Sequence, residues 1–197
     1  MQASDMQIGQ LAAEHLVSRG HRNLAFLSPK PSQMTLQRRQ ASFTYFAQQA
    51  GAEVTSYLGE EQNWTFPSAA VKQVELVEEL VQRILNDDKP ATAIFAPDDS
   101  VGALTARVLT SRGIRIGQDL SLMSCNNEQS LLMGIHPALT TIDVHAREIG
   151  RRAVDQLAWR MSNPEVPAME IGIEPTLVST ASVCKIKSTQ KNKGSQK

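Results

Sequence analysis

The chain has 197 residues, 41% of them hydrophobic, which is enough for one domain of ordinary size or slightly more. Aromatics make up only 5%, so the core must be built from Ala, Leu, Val and Ile, and the formal net charge is zero. Five lysines (185, 187, 191, 193 and 197) follow Cys184 with no acid among them, leaving 15 basic against 20 acidic residues in the body. That excess of acid excludes a domain whose main task is gripping phosphate.

Cys125 and Cys184 are far apart and lack C-x-x-C spacing, so neither a disulfide framework nor a zinc site is expected, and a reducing cytoplasm fits. No apolar run reaches membrane-spanning length, and MQASDMQIGQ lacks the pattern of a signal peptide.

The elements alternate. Residues 5–19 form a helix with Ile8, Leu11, Ala12 and Leu16 on one face, Ser4 or Asp5 as N-cap and Gly20 as the stop. Residues 23–27 (NLAFL) read as a buried strand, 36–50 as a helix ended by Gly51, and 53–58 (EVTSYL) as a second strand. Pro67 opens a helix through Leu85 whose stripe is Val71, Val74, Val77, Leu80, Val81 and Ile84. A third strand over 92–96, a helix over 99–111 closed by Gly113 and a fourth strand over 120–124 follow. Strands joined by helices of this length imply right-handed crossovers and a doubly wound parallel sheet, covered on both faces, over the first 125 residues. Beyond it come a strand over 139–142, a helix over 145–161 and an extended return over 169–178. The lysine-rich end over 185–197 is too polar to pack and reads as disordered.

Ligands of open α/β sheets bind beyond the carboxyl ends of the strands. Polar residues cluster there: Gln33, Thr35, Arg38 and Arg39 after the first strand, Trp64 after the second, Asp98, Asp99 and Ser100 after the third, and Asn126 and Asn127 after the fourth. An arginine fork, a carboxylate, amides and an aromatic plate suit a sugar or a nucleobase. Each residue also has an ordinary structural role. Asp98 or Asp99 suits the N-cap of the next helix, Asn126-Asn127 suits a turn, Arg39 suits a structural carboxylate, and Trp64 with Phe66 suits a sheet-edge cover. Nucleophile-elbow, phosphate-loop, zinc-protease and dinucleotide signatures are all absent, so no enzyme and no cofactor is expected. His15, His21, His136 and His145 have no metal-ligand spacing.

An ordered set of motifs resembles the LacI/GalR family of bacterial transcription regulators. Ser18–Leu27 (SRGHRNLAFL) resembles its helix that ends at Gly-His-Arg and feeds a buried strand. Arg39–Phe43 (RQASF) resembles R-x-x-G-F, with Ser42 in place of Gly. Pro90–Leu104 resembles the family's strand and acidic turn, Gly113–Asn127 resembles G-x-x-V-P-x-D-x-S-x-x-G-x-D/N, and Pro137–Ile142 (PALTTI) matches P-x-L-T-T-I. Glu148–Leu157 fits the following helix, and Pro175–Val183 resembles the family's closing segment.

The resemblance spans residues 4–183 and implies a periplasmic-binding-protein-like sensor of type I. On the family pattern, 5–136 is the complete C-terminal subdomain, 138–163 a remnant of the N-terminal subdomain, and 168–183 the return strand. The resemblance implies a sugar or nucleoside effector, a homodimer when full length, and operator DNA bound only through a helix-turn-helix headpiece that precedes Met1. It offers Gln33, Thr35, Arg39, Trp64, Asp99 and Asn126 as ligand contacts. Asn126 stands where many members carry Asp, Ser179-Thr180-Ala181 replaces the usual Arg-bearing end and Val144-His145 a common Pro; the lost charged partner favours a neutral ligand or an altered, idle site. Two other readings are a sugar-binding protein of a transport system and a phosphoacceptor or enzyme domain with Asp98 and Asp99 on Mg²⁺. The latter class wants its acidic pair after the first strand, whereas here it follows the third.

Overall fold

A computed structural model describes residues 2–30, 32–60 and 70–186. Strands β1 (Gln2–Ala3), β2 (Asn23–Ser28), β3 (Glu53–Leu58), β4 (Ala93–Phe95), β5 (Ser121–Met123), β6 (Thr141–Asp143), β7 (Gly172–Ile173) and β8 (Thr176–Val178) alternate with six helices. The helices are α1 (Asp5–Ser18), α2 (Met34–Gln49), α3 (Ala70–Leu85), α4 (Asp99–Ser111), α5 (Gln129–Leu132) and α6 (Ala146–Ser162). Four strands form a parallel sheet in the order β3-β2-β4-β5. The doubly wound layer expected from the alternation is therefore present.

The two-residue period of β2 explains why both faces are covered. Leu24 and Phe26 point to one face, where Ile8, Ala12 and Leu16 of α1 and Phe43 and Ala47 of α2 meet them. Ala25 and Leu27 point to the other, against Val77, Leu80, Val81 and Ile84 of α3 and Val101, Ala106 and Leu109 of α4. Three aromatics concentrate on the first face. Phe43 and Phe95 have ring centroids 5.0 Å apart, and Phe26 stands edge-on to Phe95 at 5.8 Å. Helix α1 starts where Ser4 Oγ accepts the Gln7 amide, and it ends before Gly20, whose φ of +93° suits a residue without Cβ.

The family resemblance implies that residues 138–163 belong to a remnant of another subdomain, and strand β6 lies within that range. It forms a two-stranded sheet with β8, and isolated parallel bridges link it to the end of β5 and the residues just beyond. Ser124 N donates to Thr140 O at 2.9 Å and Asn126 N to Ile142 O at 2.8 Å, as parallel bridges. Leu139, Ile142 and Val144 are buried in the two cores, and β8 pairs antiparallel with β6 on its far side. The strand thus pairs with β8 on one side and is bridged on the other to the segment that continues β5. Helix α6 behaves differently: it has no buried residue, and Val154, Leu157 and Met161 are exposed by 67%, 62% and 76%. The short helix α5 and the β1–β7 parallel pair are not foreseeable from the sequence, since two to four residues carry no readable periodicity. The expected helix start at Pro67, and the tail from residue 187 onward, lie outside the described residues.

The return segment is sewn beneath the sheet. Ser182 Oγ donates to Leu122 O at 2.6 Å and accepts from Thr140 N at 2.7 Å, while Cys184 N donates to Ser121 Oγ at 3.1 Å. His21 completes this clamp, with Nδ1 2.9 Å from Thr92 Oγ1 and Nε2 3.1 Å from the Cys184 carbonyl.

Two sites yield predictions. A Cβ on Gly9 would stand 2.5 Å from Phe43 N and 2.6 Å from Ser42 Cβ, so the α1–α2 contact admits only glycine there. Gly9→Ala should lower stability by about 1–3 kcal/mol in denaturant unfolding. The second concerns acid. Burial lowers the pKa of His21 against the bond it makes to the Cys184 carbonyl, and burial with the charges of Arg19 and His21 lowers that of His15. Unfolded imidazoles take up protons near 6.5. The unfolded chain therefore binds more protons below that pH, so this stability is complete above it and is lost as pH falls toward the depressed folded values. The melting temperature should drop between about pH 7 and pH 5, and drop less in His21→Gln.

Candidate functional site

The sheet ends its strands at one edge, and the polar residues beyond β2, β4, β5 and β6 form two linked groups there. The first is built around Asp99, in the first turn of α4 and fully buried. Its Oδ1 accepts from Ser124 Oγ at 2.5 Å and Thr141 Oγ1 at 3.0 Å, and its Oδ2 accepts from the Glu128 amide at 2.6 Å. Burial pushes this carboxyl above the usual range, and the neighbouring Asp98 adds to the rise, while the three donors oppose it. Both oxygens are engaged internally. Asp99 thus ties α4 to the end of β5, to β6 and to the loop after β5.

Asp98 supplies the N-cap, as its alternative role suggested: Oδ1 accepts from Val101 N at 2.8 Å and Ser100 Oγ at 2.5 Å. Lys30, after β2, reaches its Oδ2 at 3.1 Å. Burial opposes ionisation of Asp98, but Lys30 and the bonds from Ser100 and Val101 outweigh it and hold the carboxyl below its ordinary range.

The second group centres on Arg39. It is only 6% exposed, with Nε donating to Asp5 Oδ1 at 3.0 Å and Nη1 to Pro97 O at 2.6 Å and Asn126 Oδ1 at 3.1 Å. The structural carboxylate is therefore real: Asp5 neutralises the guanidinium. Arg39 also fixes Asn126, whose φ of +114° is accepted because its amide N donates to Ile142 O and its side chain is held. Cys125, beside it, is buried, and its thiol is pushed up to about 12, which keeps it protonated.

A concavity of ≈ 1140 Å³ opens beyond these residues, lined by Asn126, Asn127, Asp143, His145, Arg147 and Arg151 among others. Asn127 Nδ2 donates to Asp143 Oδ2 at 3.0 Å, and Asp143 Oδ1 accepts the His145 amide at 2.7 Å. The latter bond stabilises the left-handed His145, φ +54°, as α6 begins. Sequence reasoning misses Asp143 and His145 as site residues; their signal is their place just past a strand end. Of the expected contacts, the structure brings Arg39 and Asn126 together and puts Asn126 on the concavity wall. Gln33 and Thr35 are exposed at the start of α2, one turn before Arg39, and do not line it. Trp64 lies outside the described residues. Among the described residues no group of three or more His, Cys, Asp or Glu is placed to hold a metal ion, and no helix is long and apolar enough to cross a membrane.

Residues 13–183 match the family described as periplasmic binding protein-like domain. The chain belongs to that family. Within it, the relatives are LacI/GalR-type regulators, as the motifs suggested. The HTH-type transcriptional repressor PurR of Mannheimia succiniciproducens is 31% identical over 180 residues, covering 90% of this chain and 51% of the relative. The ribose operon repressor of Haemophilus influenzae is 25% identical over 179 residues, covering 91% and 51% respectively. A solved LacI-family transcriptional regulatory protein from Corynebacterium glutamicum superposes with a TM-score of 0.73 at 25% identity, over 94% of this chain and 67% of that one. The chain thus spans about half the length of the curated relatives it matches.

Removing the Asp99 carboxylate leaves the Glu128 amide and two hydroxyls without their acceptor. Asp99→Ala should cost about 2–4 kcal/mol and speed hydrogen exchange at residues 124–128. Gln33→Ala and Thr35→Ala, both at exposed positions, should stay within about 0.5 kcal/mol of the parent.

Proposed function

We propose that the chain is the small-molecule-sensing region of a LacI/GalR-type transcription regulator, and that its effector is a neutral sugar or nucleoside seated in the concavity beyond β5 and β6. The observation that carries this reading is the Arg39–Asn126 bond at the concavity wall. Arg39 occupies Asn126 Oδ1, so the amide is turned with Nδ2 available as a donor. Asn127, Asp143 and His145 add donors and acceptors around it. Arg39, Asp98 and Asp99 are already paired or hydrogen-bonded and Arg151 pairs with Glu148, so the amides at the wall suit hydroxyl and amide groups of a ligand, while Arg147 lines the rim. That one relative is named a ribose operon repressor supports the sugar class.

On this reading the effector acts through α6. The helix follows His145 directly and has no fully buried residue, with only Ile149 packed against the core. A ligand bridging Asn126 and the start of α6 favours one placement of the helix over others, and its differential affinity sets how far that balance shifts. Gln33 and Thr35 are contacts only if the start of α2 closes toward the ligand. Regulation of DNA binding, an operator, a homodimer and a cytoplasmic location are part of the same proposal, and they belong to a protein of the relatives' length. The reading includes no catalytic step.

Thermal-shift screening of ribose, other neutral sugars and nucleosides is the test, since a ligand that prefers the folded state raises the melting temperature. We expect a hit in one of these classes, and about a tenfold weaker Kd in Asn126→Ala. No hit in either class, or a hit whose affinity Asn126→Ala leaves unchanged, would remove the assignment.

A further inference from the structure

We propose a second small-molecule site, for an aromatic carboxylate, in the groove between the start of α1 and the outer face of α2. The groove encloses ≈ 460 Å³ and is lined by Asp5, Met6, Arg38, Ser42, Tyr45 and Phe46 among others. That volume lies within the roughly 300–1,000 Å³ typical of ligand pockets.

Spacing in the sequence creates it. Arg38, Ser42, Tyr45 and Phe46 fall at i, i+4, i+7 and i+8, on one face of α2, and Met6 faces them from the first turn of α1. The rings of Tyr45 and Phe46 meet edge to face, 5.2 Å between centroids and 84° between planes. Two perpendicular ring surfaces and a methionine make a corner that accepts a flat apolar group. Tyr45 is 57% exposed and Met6 63%, so this apolar surface is open to solvent.

The polar groups around the corner decide the ligand's charge. Ser42 Oγ donates to Met6 O at 2.5 Å, and Asp5 is paired with Arg39. Both are satisfied within the protein. Arg38 has no ion pair or hydrogen bond among the described residues, so it is the charge in the groove that lacks a counter-charge. A guanidinium at the rim of an aromatic corner complements a ring bearing a carboxylate, which it meets with two parallel N–H donors.

The groove also has a route to the concavity. Asp5 lines the groove and holds Arg39 at 3.0 Å, and Arg39 holds Asn126 at 3.1 Å. An anion bound near Asp5 perturbs the carboxylate that positions Arg39, and so bears on the amide at the concavity wall.

Phenylacetate, with phenylacetamide and acetate as controls, tests the site by calorimetric titration of the full chain. Phenylacetate should bind saturably at millimolar concentrations or below, and both controls should bind at least about tenfold more weakly. Arg38→Gln should weaken phenylacetate about tenfold, and Tyr45→Ala should weaken both aromatic ligands. Both side chains are at exposed positions, and unchanged far-UV circular dichroism would confirm that the variants fold. Equal affinity for acid and amide, no effect of Arg38→Gln, or no saturable binding would overturn the proposal. Loss of phenylacetate binding in Asn126→Ala with Arg38→Gln unaffected would place the ligand in the concavity, and would overturn it too. None of these outcomes bears on whether sugars or nucleosides bind beyond β5 and β6.

Discussion

Everything at the carboxyl edge of the sheet hangs on a carboxylate that never reaches solvent. Asp99 collects a hydroxyl from β5's end, a hydroxyl from β6 and a backbone amide from the intervening loop. These partners lie 25, 42 and 29 residues away along the chain, so one side chain closes three long loops at once. Left without donors, a buried carboxyl is costly; with three, it is a fixed point. Its position dictates where the chain leaves β5, and therefore where Asn126 and Asn127 present their amides.

Arg39 does for the other side of the edge what Asp99 does for α4. The guanidinium joins the first turn of α1, the end of β4 and the end of β5 through Asp5, Pro97 and Asn126. Its pairing with Asp5 is what makes burial tolerable, since a lone buried charge costs several kcal/mol. The α1–α2 contact must be close for this pair to form, and Gly9 opposite Ser42 permits it. Ser42 stands where the LacI/GalR pattern carries Gly; the structure places the compensating glycine on the facing helix, with the Ser42 hydroxyl turned to the Met6 carbonyl.

The alternation of strands and helices is legible because each element is long enough to repeat its apolar period: Leu24/Phe26 against Ala25/Leu27 in β2, and Val77, Leu80, Val81 and Ile84 in α3. The strand ends can be located for the same reason, which is how Arg39 and Asn126 come into view. What a strand end does not reveal is direction. Asp98 and Asp99 are adjacent and chemically identical, yet one caps a helix under Lys30 and the other is sealed among donors from β5 and β6. Only the fold decides between them. The position of β6 escapes a sequence reading for a different reason: PALTTI records that a strand forms, and its partner is fixed by hydrogen bonds from Ser124 and Asn126 that no periodicity encodes.

The distinction between residues that hold the site and residues that meet a ligand follows from which charges are already paired. At the edge, Asp99 is fully enclosed by hydrogen-bond donors, Asp98 is paired with Lys30, and Arg39 is paired with Asp5. A ligand that competed for any of them would have to break a buried charge-assisted bond, and breaking one such pair costs more than a neutral hydrogen bond returns. The groups farther out on the concavity wall are the half-exposed Asn126, Asn127, Asp143 and His145, with exposed Arg147 at the rim. The buried charges at this edge therefore fix geometry, and recognition is left to amides, a carboxylate already bridged to two neighbours, an imidazole and the rim guanidinium of Arg147. The groove on α2 reverses this arrangement: its inner groups are satisfied, and its outer charge, Arg38, has no counter-charge among the described residues. In each place the groups not committed to internal bonds, and not the buried ones, set what can bind.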